Sequence, residues 1–339
     1  TGGAVNVISK APTTEGGEGK LSVTFGDYNL RKISTSNNFV VSDKVATRFS
    51  ISSTTRDGFS KNVVTGQDLD DDNNKSIRTD WMFDLNDTSS MRVFGQYYKV
   101  DRNGAAMRGI DDQTPGMRNL SQDTVSQHEL SSMVVAAIYE ADLGSADLKI
   151  IASVQEDDVL VVRDNDRHNY LDPVLVIEGL PAGSTYQRAE FAPETSLVDT
   201  STFEINIVSS EPALNGRLDW TVGAFYMDHE IENVIRGYRD DDLDGRIKYL
   251  CGESFADPSY CYDHDYGIPG RFDIFGPIAE VDFFTDANPG RESYSVYAQT
   301  TYSLSDDFRI VSGLRYSEDT FTTDVTNFLN VESFKEEGT

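Results

Sequence analysis

YSVYAQTTYSLSDDFRIVSGLRY, Tyr294 to Tyr316, decides the fold. It holds two alternating segments around one tight turn, Ser305-Asp306-Asp307. In Phe308–Tyr316 one face carries Phe308, Ile310, Ser312, Leu314 and Tyr316, and the other carries Arg309, Val311, Gly313 and Arg315. Tyr294–Tyr302 sets Tyr294, Val296, Ala298 and Tyr302 against Ser295, Gln299 and Thr301. A period of two is the mark of a strand with unlike faces. Each apolar face begins and ends on an aromatic ring eight positions away. At about 3.3 Å per residue and a tilt near ~40°, that separation covers roughly 20 Å of membrane normal, close to the apolar band and aromatic girdles of a barrel wall.

The same pattern recurs upstream. Leu21/Val23/Phe25 alternate with Ser22/Thr24, Ile77/Thr79/Trp81/Phe83 with Arg78/Asp80/Asp84, and Trp220/Val222/Ala224/Tyr226 repeat it. About 11 strands are predicted by alternation. The gaps after every second strand are tight: Ser42–Lys44, Leu85–Ser89, Asp142–Ala146, Glu211–Asn215 and Ser305–Asp307. The gaps between them, apart from the first, are long and acidic: about Asp57–Lys75, Val100–Glu129, Gln155–Thr200 and Glu230–Glu292. Short turns on one side and long loops on the other predict an all-β chain forming a transmembrane antiparallel β-barrel. A soluble β-sandwich also alternates, but has no reason to sort its loops by length.

Composition agrees. Mean hydropathy is negative and no apolar run approaches the ~20 residues of a membrane helix. Barrel strands escape that criterion because only alternate residues meet lipid. With 57 Asp and Glu against 29 Lys and Arg, the net charge of −28 excludes nucleic acid as a partner. Glu230–Glu292 alone holds 15 acidic and 6 basic residues, a net of −9.

That loop also holds both cysteines, Cys251 and Cys261. In an exposed loop of an envelope protein the pair reads as a disulfide, with a metal site near His264 as the weaker alternative. Asp240-Asp241-Asp242-Leu243-Asp244-Gly245 fits the start of a calcium loop through Asp240, Asp242 and Asp244. Cys251 stands where an EF-hand has Glu, so an unliganded acidic turn is the competing reading. Asp68-Asp70-Asp71-Asp72 is a vaguer acidic cluster, and Tyr238, Tyr249, Tyr260, Tyr262 and Tyr266 fit ligand stacking or loop packing equally. His128, His168, His229 and His264 show no metal-ligand spacing, and no nucleophile-elbow or P-loop motif occurs. No enzyme activity and no cofactor beyond that calcium are predicted.

Thr1-Gly2-Gly3-Ala4-Val5-Asn6-Val7-Ile8-Ser9-Lys10-Ala11-Pro12 resembles the end of the plug domain in TonB-dependent outer-membrane receptors. There, Gly-Gly-hydrophobic-Asn-hydrophobic-Ile-(Ser/Thr)-Lys marks the plug–barrel junction, here carried by Gly2, Gly3, Asn6, Lys10 and Pro12. Paired glycines permit close backbone approach, and Ala4–Ile8 reads as a buried strand. Gly26-Asp27-Tyr28, Arg56-Asp57-Gly58-Phe59 and the Tyr297–Tyr316 hairpin also resemble that family, in order. The resemblance implies residues 1–12 as the plug's last strand and 13–339 as part of a barrel of about 22 strands. An open sheet of about half that number leaves two edges in lipid, so the chain reads as a fragment whose barrel closes with further strands.

The resemblance further implies an outer membrane of a Gram-negative bacterium and a TonB–ExbB–ExbD complex as the energy-transducing partner. A small extracellular ligand would be imported: a ferric siderophore or similar iron complex first, with cobalamin and oligosaccharides as further classes. Lys32, Arg48, Arg78 and Arg92 face the lumen, to receive an anionic ligand or to pair with plug carboxylates. A passive porin or a surface-binding barrel is the alternative function.

Overall fold

The computed structural model describes residues 8–110, 112–165, 167, 189–240 and 280–329. Eleven strands form one antiparallel sheet in strict sequence order. They are β1 (Glu18–Gly26), β2 (Leu30–Ser42), β3 (Val45–Arg56), β6 (Asp72–Asn86), β7 (Ser89–Arg102), β9 (Gln127–Asp142), β10 (Ala146–Asp164), β11 (Ala189–Ser209), β12 (Leu218–Asp240), β13 (Glu280–Ser305) and β14 (Phe308–Leu329). Three short strands, β4 (Ser60–Asn62), β5 (Asp68–Leu69) and β8 (Asn119–Leu120), form a second sheet within the loops. No described helix is long and apolar enough to cross a membrane, which is silent on crossing by strands.

The five tight turns fall where the sequence places them, between β2 and β3, β6 and β7, β9 and β10, β11 and β12, and β13 and β14. A register shift sits beside the turn in three of these hairpins, at Val40/Ser42, Asp84/Asn86 and Ser303/Ser305. Such bulges end a ladder and tighten local twist. The β1–β2 turn lies at the opposite, long-loop end. Tyr28 and Asn29 have φ of 56° and 54°, a pair of left-handed positions that matches the twist of a two-residue hairpin.

Registers carry the alternation across the sheet. Phe203 lies opposite Tyr226, and Tyr226 opposite Tyr294; Leu218 lies opposite Tyr302, and Tyr302 opposite Ile310. These rows bracket Val222, Ala298 and Leu314, which pair in turn across β12, β13 and β14. Large apolar side chains on this face stand exposed, Leu314 at 80%. That is the surface a lipid-facing wall requires and a soluble sheet avoids. Among the described residues β1 pairs only with β2 and β14 only with β13, so the sheet is open.

The strands run further than the apolar alternation predicted. The acidic gap expected over Glu230–Glu292 is strand up to Asp240 and again from Glu280, and β10 likewise continues from Gln155 to Asp164. The cause is physical. Once a strand leaves the apolar band, both faces meet water, and Asp228, Glu230 and Glu292 replace apolar residues on the outward face.

Two of the long connections are folded. β4 pairs antiparallel with β5 and parallel with β8, joining the 57–71 and 103–126 connections. Leu69, Leu120 and Asn62 are sealed between them. Gln67 donates to the Ser126 carbonyl at 2.9 Å and accepts from its N–H at 2.9 Å. The Asp164 carboxylate, at the end of β10, accepts from the Thr124 N–H at 3.2 Å. The guanidinium groups of Arg56 and Arg118 lie over the Phe59 ring at 5.0 and 4.8 Å, and Tyr28 meets it edge-on at 5.9 Å.

Candidate site where the N-terminal segment meets the lumenal wall

The face opposite the apolar one is polar, carrying Lys32, Asn38, Arg48, Arg78, Asp80 and Arg92. Residues 8–17, without a strand of their own, lie along it. Asn38, nearly fully buried on β2, pins this segment. Its carbonyl oxygen accepts from the Thr13 N–H at 3.0 Å, and its amide donates to the Thr13 and Gly16 carbonyls, both at 2.8 Å. One side chain thus supplies the backbone with partners a strand would otherwise give.

A charged cluster extends the contact. Asp80 on β6 is 1% exposed and is met by two guanidinium groups. Arg78 reaches it at 3.1 Å, and Arg92 donates through Nε at 2.8 Å and Nη2 at 2.5 Å. Both arginines also donate to the Ser9 hydroxyl oxygen, at 3.1 and 3.0 Å. Arg78 is fixed further by Gln96 at 3.1 Å and lies over the Phe94 ring at 3.8 Å. Alongside, Glu18 bridges Lys10 and Arg48, each at 2.5 Å. The lumenal arginines therefore pair with carboxylates of the wall and of β1.

Of the residues predicted at the junction, Pro12 is buried and Lys10 is exposed apart from its bridge to Glu18. Gly2, Gly3 and Asn6 lie outside the described residues. Ile8, expected to end a buried strand, is 83% exposed and in no strand. Lys32 is exposed on the lumenal face of β2. Cys251, Cys261, Asp242 and Asp244 lie outside the described residues, as does the side chain of Asp240.

The acidic cluster at 68–72 serves the loop fold. Asp70 accepts from Ser60 and from the Ala106 N–H, at 2.5 and 3.0 Å, and Asp71 from the Asn103 N–H at 2.8 Å. Asp68 pairs with Lys61 at 3.0 Å. No group of three metal-ligating side chains occurs among the described residues.

The sequence reading missed Asp80 as the centre of the lumenal cluster. Its signal was Arg78 and Asp80 two positions apart on one strand face. Further along the wall, Tyr297 lies across Gly223 and donates to Asn206 and Glu204, with Arg315 over its ring at 5.7 Å.

No family model matches the sequence, and no curated protein does. Solved structures do. The ferric yersiniabactin uptake receptor FyuA from Yersinia pestis superposes with a TM-score of 0.67 at 13% identity, over 95% of this chain and 42% of that one. The ferric-catecholate import receptor Fiu from E. coli K12 gives 0.61 at 11% identity, over 94% of this chain and 52% of that one. The ferripyoverdine receptor of the outer membrane of Pseudomonas aeruginosa gives 0.58 at 14%, over 94% and 39%. The chain thus spans about half or less of the structures it matches. Its eleven-stranded sheet has the fold of part of a siderophore-receptor β-barrel, the fold implied by the resemblance to TonB-dependent receptors.

Proposed function

We propose that the chain is barrel wall, with the end of the plug at residues 1–12, of a TonB-dependent receptor in the outer membrane of a Gram-negative bacterium. On this reading the short turns face the periplasm and the long loops face outside. The receptor imports a ferric siderophore or similar iron complex, driven by the TonB–ExbB–ExbD complex. The fastening of residues 8–17 to Asn38, Arg78 and Arg92 carries the reading. It lays residues 8–17 along the lumenal face, the course that fits a chain arriving from a plug and that a passive porin does not need. The fold shared with siderophore receptors supports the ligand class. Transport is a binding and displacement process, so no catalytic group is required.

The test is uptake of radiolabelled iron by iron-starved cells, with a panel of purified ferric siderophores. At least one complex should accumulate in cells carrying the full-length receptor and should fail to do so after TonB deletion. Accumulation that is independent of TonB and proportional to external concentration would identify a passive pore instead. The Cys251–Cys261 disulfide and calcium at Asp240, Asp242 and Asp244 belong to the same proposal. Reduction should slow the unboiled protein on a gel, and a calcium chelator should increase proteolysis of the 241–279 connection.

A further inference from the structure

The Arg78–Arg92 pair is a clamp whose present occupant does not match its charge. Two guanidinium groups share one buried carboxylate, Asp80, and Glu140, the other acid acting on Arg92, is paired with Lys149 at 2.8 Å, so one positive charge remains in excess beside Ser9. What they hold in front is the Ser9 hydroxyl, a neutral acceptor, at 3.1 and 3.0 Å, with the Ser9 carbonyl at 3.5 Å from Arg92. The clamp itself is built from behind. Asp80 is 1% exposed, Gln96 fixes Arg78 at 3.1 Å, and Phe94 underlies both arginines at 3.8 and 5.9 Å. The fork of Arg92 is taken by Asp80, and what reaches Ser9 is one Nη2 from each arginine. Two converging charged donors of this kind suit the two oxygens of a carboxylate, which also supplies the missing charge. Ser9 is exposed, and residues 8–17 form no strand, so their departure breaks no ladder.

We propose that Arg78 and Arg92 form an anion-binding way-station on the transport path, covered by Ser9 at rest and uncovered when residues 8–17 leave the wall. Its ligand class is a carboxylate-bearing chelate. This rests on the plugged-importer reading above. Ser9 acts as a placeholder that keeps the arginines hydrogen-bonded without neutralising them, so an anionic cargo displaces no competing anion.

The test uses the full-length receptor in a planar bilayer, with urea on the periplasmic side to displace the plug reversibly and citrate as the probe anion. Urea should open a current that citrate blocks. In Arg78→Gln/Arg92→Gln the blocking midpoint should rise at least about tenfold, the factor for losing one charge-assisted contact. An open channel with the same midpoint in both proteins overturns the way-station and leaves the importer reading standing. Absence of any urea-opened channel in the wild type overturns the importer reading itself. Should the double variant fail to fold, Ser9→Glu provides the second measurement. A carboxylate placed in the clamp should raise the urea needed for opening, and an unchanged or lower requirement overturns the proposal.

Discussion

At the scale of single residues, Asp80 and Gly223 define what the lumenal wall tolerates. Asp80 is the counter-charge for two guanidinium groups, both mostly covered. Asp80→Asn keeps the shape and removes the charge, leaving two like charges side by side. Breaking a buried pair on one side costs roughly 3 kcal/mol, so the urea-unfolding midpoint of the lipid-inserted protein should fall clearly. Asp80→Glu should recover much of the loss. Gly223 shows a steric constraint. A Cβ there would sit 2.5 Å from the Tyr297 ring and hydroxyl and 2.6 Å from the Asn206 side chain. Gly223→Ala must therefore displace Tyr297 from Asn206 and Glu204, at about 1–3 kcal/mol. The companion Tyr297→Phe separates the lost hydroxyl from the lost fit: Gly223→Ala should cost less in the Phe background, because the contact with the hydroxyl is already gone.

Among the elements, the module built from β4, β5 and β8 is the clearest case of structure hidden from the sequence. The tight turns were legible because Ser, Asp and Asn announce them. The lipid-facing strands were legible because their faces differ. Ser60–Asn62 and Asn119–Leu120 are short and mixed, and their pairing joins residues far apart in the chain, so no local period marks them. The ends of β10 to β13 were obscured for a related reason, since a strand hydrated on both faces loses its apolar alternation. Within the module two carboxyls answer acid in opposite senses. Burial pushes Asp112 up, but the Thr114 hydroxyl, the N–H groups of Thr114 and Ser121 and the Arg108 charge outweigh it and hold the group below its ordinary value. Its contribution is present above the unfolded carboxyl value of ~4 and is lost as pH falls through the folded one. Asp71 is raised by burial against the N–H of Asn103, so its contribution is complete in acid and is lost as pH rises through its folded value. Asp112→Asn should therefore lower protection of 103–126 at neutral pH and flatten its acid dependence, read by hydrogen exchange corrected for intrinsic rates. Asp71→Asn keeps an acceptor for Asn103 and removes a desolvated charge, so protection at neutral pH should hold or rise. Because β4 and β8 pair across the two connections, Leu120→Ala should loosen 57–71 as much as 103–126.

For the molecule as a whole, the claim that matters is which face meets lipid. The lumenal junction followed only partly from the sequence: Lys10 and Pro12 mark the segment, while its partners Asn38, Arg78, Arg92 and Glu18 come from four different strands that only the register brings together. The lipid face followed almost completely, because it depends on parity alone. Ala298 and Gln299 are consecutive on β13 and both solvent-accessible, so exposure does not distinguish them. Register does. Ala298 lies between Val222 and Leu314, and Gln299 between Thr221 and Gly313. Ala298 is also midway between the rows of Tyr294 and Tyr302, near the centre of the apolar band. An arginine at the midplane of a barrel's lipid face costs about 2–4 kcal/mol, whereas the lumenal face is hydrated or paired. Ala298→Arg should therefore lower the unfolding free energy of the lipid-inserted protein by that amount, and Gln299→Arg should leave it within roughly 0.5 kcal/mol. In detergent the difference should shrink, because a micelle admits water more readily than a bilayer. Equal losses at the two positions would mean that the alternation reports a two-sided soluble core, and the membrane reading of all eleven strands would fall with it.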